Sequence, residues 1–153
     1  MKKLKDSVPS PSRVWYNNWI SKNAKKGEIL DIGKSQFWDY SDLSYCYKTM
    51  DINPKIKPDF VGDICNNTLC NEAFDVILCN RMYEFVSDPQ KMADEVYRLL
   101  KKGGTAIFGF VGRDYKPYKK NWKFYEYTID FKKFEILKQK DFDKNYHFIV
   151  CKK

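Results

Sequence analysis

Four short apolar segments in the first half of the chain each end at a glycine or a polar residue. Runs of this length, bounded by turn residues, are typical of β-strands buried in a sheet. Segments with helical periodicity lie before and after them, and this alternation favours an α/β fold with a largely parallel sheet. The predicted strands are residues 28–33, 45–52, 58–61 and 74–79.

Two segments carry apolar side chains at helical spacing. The first follows Pro11, and the Lys-Lys-Gly sequence at 25–27 should end it, because cations and glycine favour helix C-termini. The second is predicted over 89–102, with Asp88 as its cap and the glycine pair at 103–104 as its end. The sequence therefore predicts one helix before the four strands and one after them.

The C-terminal part of the chain adds three more predicted strands, at 105–111, 134–142 and 146–152. Only residues 143–145 join the last two strands. A parallel pair needs a longer crossover, so this final pair should be antiparallel.

Length and composition indicate one globular domain. Of the 153 residues, 43% are hydrophobic and 17% aromatic, which excludes a disordered chain. We predict a flexible leader at 1–12 and a single domain at 13–153. No apolar run approaches the length of a membrane span, and no secretory signal follows the basic start. Five cysteines without Cys-x-x-Cys spacing, beside a single histidine, indicate reduced thiols in a cytoplasmic protein and no metal site.

The charge is distributed unevenly along the chain. Residues 1–27 and 113–153 each carry a net charge of +6, whereas residues 28–112 carry −4. Basic flanks suit an anionic partner such as nucleic acid or a phosphorylated sugar, and they equally suit a solvated lysine-rich face. Charge alone does not choose between these two interpretations.

Polar residues collect where the predicted strands end, which is where parallel sheets bind ligands. Gly33 allows a sharp turn that exposes backbone N–H groups. Asp51 lies about 20 residues beyond that turn, the spacing expected of a carboxylate that holds two ribose hydroxyls. Asp63 can accept from an exocyclic amine such as that of adenine, with Ile52 and Ile64 beside the base. Aspartate is also a common turn residue, so the ordered set, rather than any single member, indicates a functional site.

From residue 29 to residue 110 the sequence resembles the core of the small class I S-adenosylmethionine-dependent methyltransferases, the group related to ubiquinone and glycan methyltransferases. Five segments carry the resemblance by their order and spacing, although each is weak alone. They are Ile-Leu-Asp31-Ile-Gly33, Met50-Asp51-Ile-Asn-Pro54, Val61-Gly-Asp63-Ile, Phe74-Asp75-Val-Ile-Leu-Cys79-Asn80, and Asp88-Pro89 to Leu100-Lys-Lys-Gly103-Gly104. The resemblance implies a Rossmann-like three-layer α/β sandwich. Its seven-stranded sheet would be mostly parallel, with an antiparallel C-terminal strand pair.

The resemblance also implies S-adenosylmethionine as the cofactor and methyl transfer as the reaction. Asp31 and Gly33 match the motif around the methionine part of the cofactor, and Asp51 matches the ribose-binding acid. Two further pairs match at strand ends, namely Asp63 and Ile64 for adenine, and Cys79 and Asn80 for the methionine and the transfer site.

The first glycine motif departs from the family pattern. Where the family continues Gly-x-Gly, this chain has Gly33-Lys34-Ser35, so only the first glycine remains. The small Ser35 still allows a cofactor to approach the backbone, whereas Lys34 adds a charge near a cationic sulfonium. The short connection also predicts that the family's first crossover helix is clipped or absent around 37–43.

No residue stands out as a general base, so no catalytic residue is predicted. Arg81, Tyr83 and Glu84 follow the fourth strand, and Phe85 stands where related enzymes often have a histidine. No cap domain interrupts the chain, so the acceptor site should be open, which suits a large or anionic acceptor, a homo-oligomer or a partner subunit. Aromatic and basic residues at 115–127 either build this acceptor site or pack over the sheet edge.

Three functions therefore compete. The first is an S-adenosylmethionine-dependent methyltransferase with an unidentified acceptor. The second is a degenerate relative that keeps the fold as a binding or scaffolding subunit, which the lost glycine and the missing base favour. The third is a nucleotide-binding domain of oxidoreductase type, which the absence of a Gly-x-Gly-x-x-Gly pattern disfavours.

Overall fold

The computed structural model describes residues 11–24, 26–34, 38–111, 129–142 and 146–153. Within these residues the chain forms two α-helices, α1 (Pro11–Asn23) and α2 (Pro89–Leu99). The strands are β1 (Ile29–Ile32), β2 (Tyr47–Asp51), β3 (Phe60–Val61), β4 (Phe74–Asn80), β5 (Leu100–Val111), β6 (Glu135–Phe142) and β7 (Tyr146–Lys152).

The strands form one seven-stranded sheet in the order β3-β2-β1-β4-β5-β7-β6. Strands β1 to β5 are parallel, and β7 runs antiparallel to both β5 and β6. The predicted α/β fold with an antiparallel C-terminal pair is therefore confirmed. After β3 the chain crosses back to the far side of β1, so β1 and β4 flank the point where the strand order reverses, where such sheets bind ligands.

Both faces of the sheet are covered, which makes the sandwich three layers thick. On one face α2 buries Met92, Val96 and Leu99 in a cluster that includes Ile77 and Phe108. On the other face, the aromatic and aliphatic side chains of α1 pack on the sheet with Val76, Leu78 and Phe148. All four residues of β1 are buried, as expected for a central strand of a parallel sheet.

The second helix ends earlier than its sequence predicts. It stops at Leu99, and Leu100 adopts an extended conformation and pairs with Phe74 of β4. The predicted end at residue 102, before the glycine pair at 103–104, is therefore wrong, because residues 100–104 already belong to β5. Leu100 is fully buried, and its place in the core pulls the backbone into the sheet before the glycine pair is reached.

The first helix also ends early, at Asn23 rather than at residues 25–27. The Asn23 side chain donates to the Trp19 carbonyl at 2.8 Å, and the Ala24 N–H donates to the Ile20 carbonyl at 2.8 Å, which satisfies one of the carbonyls left open at the helix end. Residues 27 and 28 instead lead into β1. The Glu28 N–H donates to Asp75 Oδ2 at 2.8 Å. Residues 11 and 12 belong to α1, and residues 1–10 of the predicted leader lie outside the described part of the chain.

Asp88 caps α2 as predicted, with its Oδ1 accepting from the Lys91 N–H at 3.0 Å. Replacing Asp88 with alanine should lower the free energy of unfolding by about 1 kcal/mol, the usual effect of losing an N-cap. Urea unfolding of the two proteins measures this loss. Asp88→Ser keeps an acceptor oxygen and should stay within about 0.5 kcal/mol of the original protein, and equal losses for both variants would contradict the capping role.

Candidate functional site

A cavity of about 680 Å³ opens where β1, β2, β3 and β4 end, a volume suited to a ligand of drug or nucleoside size. The register of the strands brings these ends together, since Ile32 pairs with Met50 and Asp51 pairs with Val61. Seven of the nine residues predicted from the sequence line this cavity. They are Asp31, Gly33, Asp51, Ile52, Asp63, Ile64 and Asn80.

Gly33 begins the turn after β1 with a backbone that favours glycine. Its φ is +77°, and its N–H donates to the Met50 carbonyl at 2.8 Å. A Cβ atom at this position would lie 1.9 Å from the sulfur of Met82. Met82 also lines the cavity, so the absence of a side chain at Gly33 lets Met82 pack directly on the turn.

Asp31 is buried at the end of β1, with 2% of its surface exposed. Its Oδ2 accepts from the Tyr47 hydroxyl at 2.6 Å. Burial raises the pKa of Asp31 to about 7, and the Tyr47 hydrogen bond offsets only part of this rise. The carboxyl group therefore changes charge near neutral pH, and a cationic ligand in the cavity would favour its ionised form.

Replacing Asp31 with asparagine should stabilise the fold at pH 8 by about 1–3 kcal/mol and should have little effect at pH 4. The folded-state pKa is raised, so folding favours the protonated form. The original protein therefore loses stability as pH rises from the unfolded value towards 7, whereas Asp31→Asn does not. Urea unfolding at both pH values measures this difference, and an equal effect at the two would contradict it.

Asp51 and Ile52 follow β2 at the neighbouring edge of the cavity. Asp51 Oδ1 accepts from the Asn53 N–H at 2.8 Å, which turns the chain directly after the strand. Ile52 is 69% exposed although it lines the cavity. An exposed isoleucine beside a carboxylate offers an apolar surface and a hydrogen-bond acceptor to the same ligand.

Asp63 and Ile64 line the cavity after β3. Asp63 Oδ1 accepts from the Cys65 N–H at 2.9 Å, and its carbonyl accepts from the Asn66 N–H at 2.9 Å. Ile64 is buried, with 2% exposed. The buried Ile64 and the exposed Ile52 give this end of the cavity an apolar lining between two carboxylates.

The two residues predicted at the end of β4 have different environments. Asn80 lines the cavity, and its Oδ1 is buried without a hydrogen-bond partner among the described residues. The thiol of Cys79 lies in the core among apolar side chains, where burial raises its pKa. The structure therefore places Asn80, but not Cys79, at the cavity wall.

Helix α1 forms a wall of the cavity that the sequence did not predict. Arg13, Tyr16 and Asn17 line the cavity from this helix. Asn17 is buried, and its Oδ1 accepts a hydrogen bond from the Tyr40 hydroxyl. A polar residue between the apolar positions of an otherwise buried helix face was the available signal for this wall.

The three candidate bases after β4 differ in whether they reach the cavity. Tyr83 is buried against Phe110. Glu84 Oε1 accepts from the Val111 N–H at 3.1 Å, and burial raises the pKa of Glu84. Arg81 lines the cavity. Neither Tyr83 nor Glu84 lines it, so the described residues contain no base candidate from this segment other than a permanently charged arginine.

Comparison with known proteins shows what this chain resembles. The family model for the methyltransferase domain matches residues 39–108. An S-adenosylmethionine-dependent methyltransferase from Aquifex aeolicus superposes with a TM-score of 0.67 at 14% identity, covering 94% of this chain and 93% of that one. The chain has the fold of the class I S-adenosylmethionine-dependent methyltransferases, and just under half of it matches the methyltransferase-domain model. The N-methyltransferase NodS from Bradyrhizobium japonicum, solved with S-adenosylhomocysteine, has the same fold, with a TM-score of 0.65 at 13% identity over 98% and 94% of the two chains.

Relatives identified by sequence match over shorter stretches of the chain. An uncharacterised protein of Methanocaldococcus jannaschii is 40% identical over 62 residues, which cover 37% of this chain and 30% of that protein. The ubiquinone biosynthesis O-methyltransferase of Pseudomonas putida is 43% identical over 47 residues, covering 31% and 20%. The chain thus matches less than a third of the length of either curated relative.

The lysine in the turn after β1 makes a hydrogen bond within the protein. Lys34 Nζ donates to the Lys57 carbonyl at 3.0 Å, which ties the turn after β1 to the short helix after β2. Ser35, predicted to replace the second glycine, lies outside the described residues, as does the aromatic segment at 115–127. Between residue 38 and β2, the described residues contain one short 3-10 helix, Ser41–Leu43, which agrees with a clipped crossover.

The described residues contain no helix that is long and apolar enough to cross a membrane. All five cysteine thiols are free, with Cys65, Cys79 and Cys151 buried and Cys46 and Cys70 exposed.

Proposed function

We propose that this protein transfers a methyl group from S-adenosylmethionine to an acceptor that enters the cavity beside β4. The match to the methyltransferase-domain model and the shared fold with a protein solved with S-adenosylhomocysteine support S-adenosylmethionine as the cofactor. The observation that carries the proposal is the placement of two carboxylates, Asp51 and Asp63, on one cavity that also holds the Gly33 turn.

The cavity fits the cofactor by the chemistry of its donors and acceptors. Asp51 would hold the ribose hydroxyls, because an ionised carboxylate accepts from both members of a vicinal diol. Asp63 would accept from the adenine amine, with Ile52 and Ile64 against the base. Asn80 Oδ1, which is buried without a partner among the described residues, would accept from the ammonium of the methionine part.

When bound, the cofactor supplies an electrophilic methyl group, so the protein mainly has to orient the acceptor. Gly33 and Met82 shape the floor of the cavity between the ends of β1 and β4. Asp31 contributes a buried carboxyl that can gain negative charge when a cation binds. Phe85 is 64% exposed at the cavity and offers an apolar contact to an acceptor.

A scaffolding role is the second candidate, favoured by one observation. Glu84 and Tyr83, the two candidate bases that follow β4, contact Val111 and Phe110 and do not line the cavity. Such a protein would keep the fold without transferring a methyl group. We retain the scaffolding role because many methyl acceptors need a general base to remove a proton.

Ligand-induced shifts in melting temperature separate a protein that binds S-adenosylmethionine from a nucleotide-binding domain of oxidoreductase type. S-adenosylmethionine and S-adenosylhomocysteine should each stabilise the protein, whereas NAD⁺ at the same concentration should not. Stabilisation by NAD⁺ alone would instead support the oxidoreductase type. Release of S-adenosylhomocysteine by the protein with cell extract, above the release by the extract alone and by the protein alone, would then separate a methyltransferase from a scaffold.

We also propose a cytoplasmic location, which the five free thiols support, because disulfides are rare in that reducing compartment. The candidate macromolecular partners are nucleic acid, a second copy of the chain and a partner subunit, and the basic flanks suit the first of these. Size-exclusion chromatography with light scattering would test the second of these directly.

A further inference from the structure

The cavity carries its charged side chains in two separate halves. Asp51 and Asp63 stand at the ends of β2 and β3, towards one edge of the sheet. Arg81 follows β4, and Arg13 comes from α1, which covers the sheet near β7. The two arginines therefore line the half of the cavity that lies away from the proposed ribose and adenine positions.

Arg81 is fixed in the basic half by its backbone and by an aromatic contact. Its φ is +60°, and its N–H donates to the Gly109 carbonyl of β5 at 2.8 Å. Its guanidinium carbon lies 5.8 Å from the centroid of the Tyr146 ring, within the range of a cation–π contact. The side chain thus leans towards β5 and β7 rather than towards β2.

Arg13 reaches the same region from the helix. It lies one turn before Tyr16, and the Tyr16 and Tyr146 rings are 5.1 Å apart. Because residues three apart share a helix face, Arg13 stands on the side of α1 that meets Tyr146. Both arginines are therefore placed around the same pair of tyrosines.

The carboxyl groups in this half offset the arginine charges only in part. Burial raises the pKa of Glu84, which favours its neutral form, whereas Asp31, with a pKa of about 7, ionises when a cationic cofactor binds. One Glu84 oxygen also accepts from the Val111 N–H. Two guanidinium groups, which stay charged at neutral pH, therefore line the cavity with one ionised carboxylate from this pair.

We propose that Arg13 and Arg81 form an anion site for the methyl acceptor, and that the acceptor carries a carboxylate or phosphate group beside an apolar body. The guanidinium fork matches the oxygen geometry of both groups. The exposed ring of Phe85 and the side chain of Met82 would contact the apolar part. This inference rests on the proposed function, which it deepens by naming the acceptor class.

Calorimetric titration of the full chain, saturated with S-adenosylhomocysteine, tests the anion site with three matched probes. These are 4-hydroxyphenylacetate, its uncharged amide and phenyl phosphate. We expect at least one anion to bind in the millimolar range or better, and the amide to bind at least about tenfold more weakly. The stronger of the two anions identifies the carboxylate or the phosphate as the preferred group.

Arg13→Gln and Arg81→Gln should each weaken anion binding by about tenfold or more, while S-adenosylhomocysteine affinity changes by less than about twofold. Arg81→Lys keeps the charge without the fork and should lose less than Arg81→Gln. Lys132→Gln removes an equal charge at a side chain that is 89% exposed, and it should change neither affinity. Melting temperatures establish that each variant is folded.

Three results would overturn the proposal. The first is equal binding of the anions and the amide, and the second is no binding of any probe to the saturated protein. The third is a loss of S-adenosylhomocysteine affinity in the arginine variants with anion binding unchanged, which would assign the arginines to the carboxylate of the cofactor. Arginine-dependent anion binding by a protein that fails to bind S-adenosylhomocysteine would instead remove the proposed function and leave the anion site standing.

Discussion

Replacing Asp51 with alanine should weaken S-adenosylhomocysteine binding by about 1.5–3 kcal/mol, or about 10- to 150-fold in Kd, with the fold intact. The proposed role of Asp51 is to accept two ribose hydroxyls, and hydrogen bonds to a charged group are the strong ones. In the structure its side chain accepts from one exposed backbone N–H, that of Asn53. The substitution should therefore act on the ligand far more than on the free energy of unfolding.

Asp51→Asn tests the negative charge of the side chain separately from its hydrogen bond in the turn. An asparagine keeps an oxygen for the Asn53 N–H but loses the ionised carboxylate, so its effect on affinity should fall between those of the original protein and Asp51→Ala. Isothermal titration of all three proteins measures this order. A change of less than about 0.5 kcal/mol for Asp51→Ala would show that Asp51 does not hold the ribose.

Replacing Gly33 with alanine should lower the free energy of unfolding by about 1–3 kcal/mol and should disturb cofactor binding as well. The φ of +77° is unfavourable for any L side chain, and the new Cβ would lie 1.9 Å from Met82 Sδ. Met82 must therefore move, and it moves within the lining of the cavity. Urea unfolding and titration with S-adenosylhomocysteine measure the two effects.

Gly62→Ala is the matched control, since Gly62 also lines the cavity but its Cβ would meet only Met50 Cε at 3.4 Å. It should change stability by less than about 1 kcal/mol. The double variant Gly33→Ala with Met82→Ala removes the collision and keeps the backbone strain, so it should recover part of the lost affinity. Equal effects of Gly33→Ala and Gly62→Ala would contradict this account of the first turn.

The sheet could be predicted from the sequence because its strands carry local signals. Residues 74–79 form an unbroken apolar run, and the observed β4 differs from it by one residue at its end. The three-residue connection before β7 fixed the antiparallel pairing of the last two strands. Where tertiary contacts override local signals, the prediction was wrong, as at Leu100, whose burial beside Phe74 ends α2 ahead of the glycine pair.

The carboxylates of the candidate site could be predicted because each follows a strand at a fixed spacing. The wall formed by α1 was missed, because Asn17 between apolar positions marks a polar site on the helix but does not show which part of the sheet the helix covers. That position follows from the packing of Tyr16 against Tyr146 and Phe148 of β7. The same holds for Met82, which fills the space above Gly33. Cys79 shows the converse error, because its position at a strand end did not reveal that its side chain faces the core.

We expect the altered loop after β1, Gly33-Lys34-Ser35, to retain binding of S-adenosylmethionine. Isothermal titration of the full chain with S-adenosylhomocysteine tests it most directly, because no acceptor is needed. We predict one binding site per chain with a micromolar Kd, lost or greatly weakened in Asp51→Ala. No detectable binding up to millimolar concentrations would contradict the claim and would favour a scaffolding protein that keeps the fold without its cofactor.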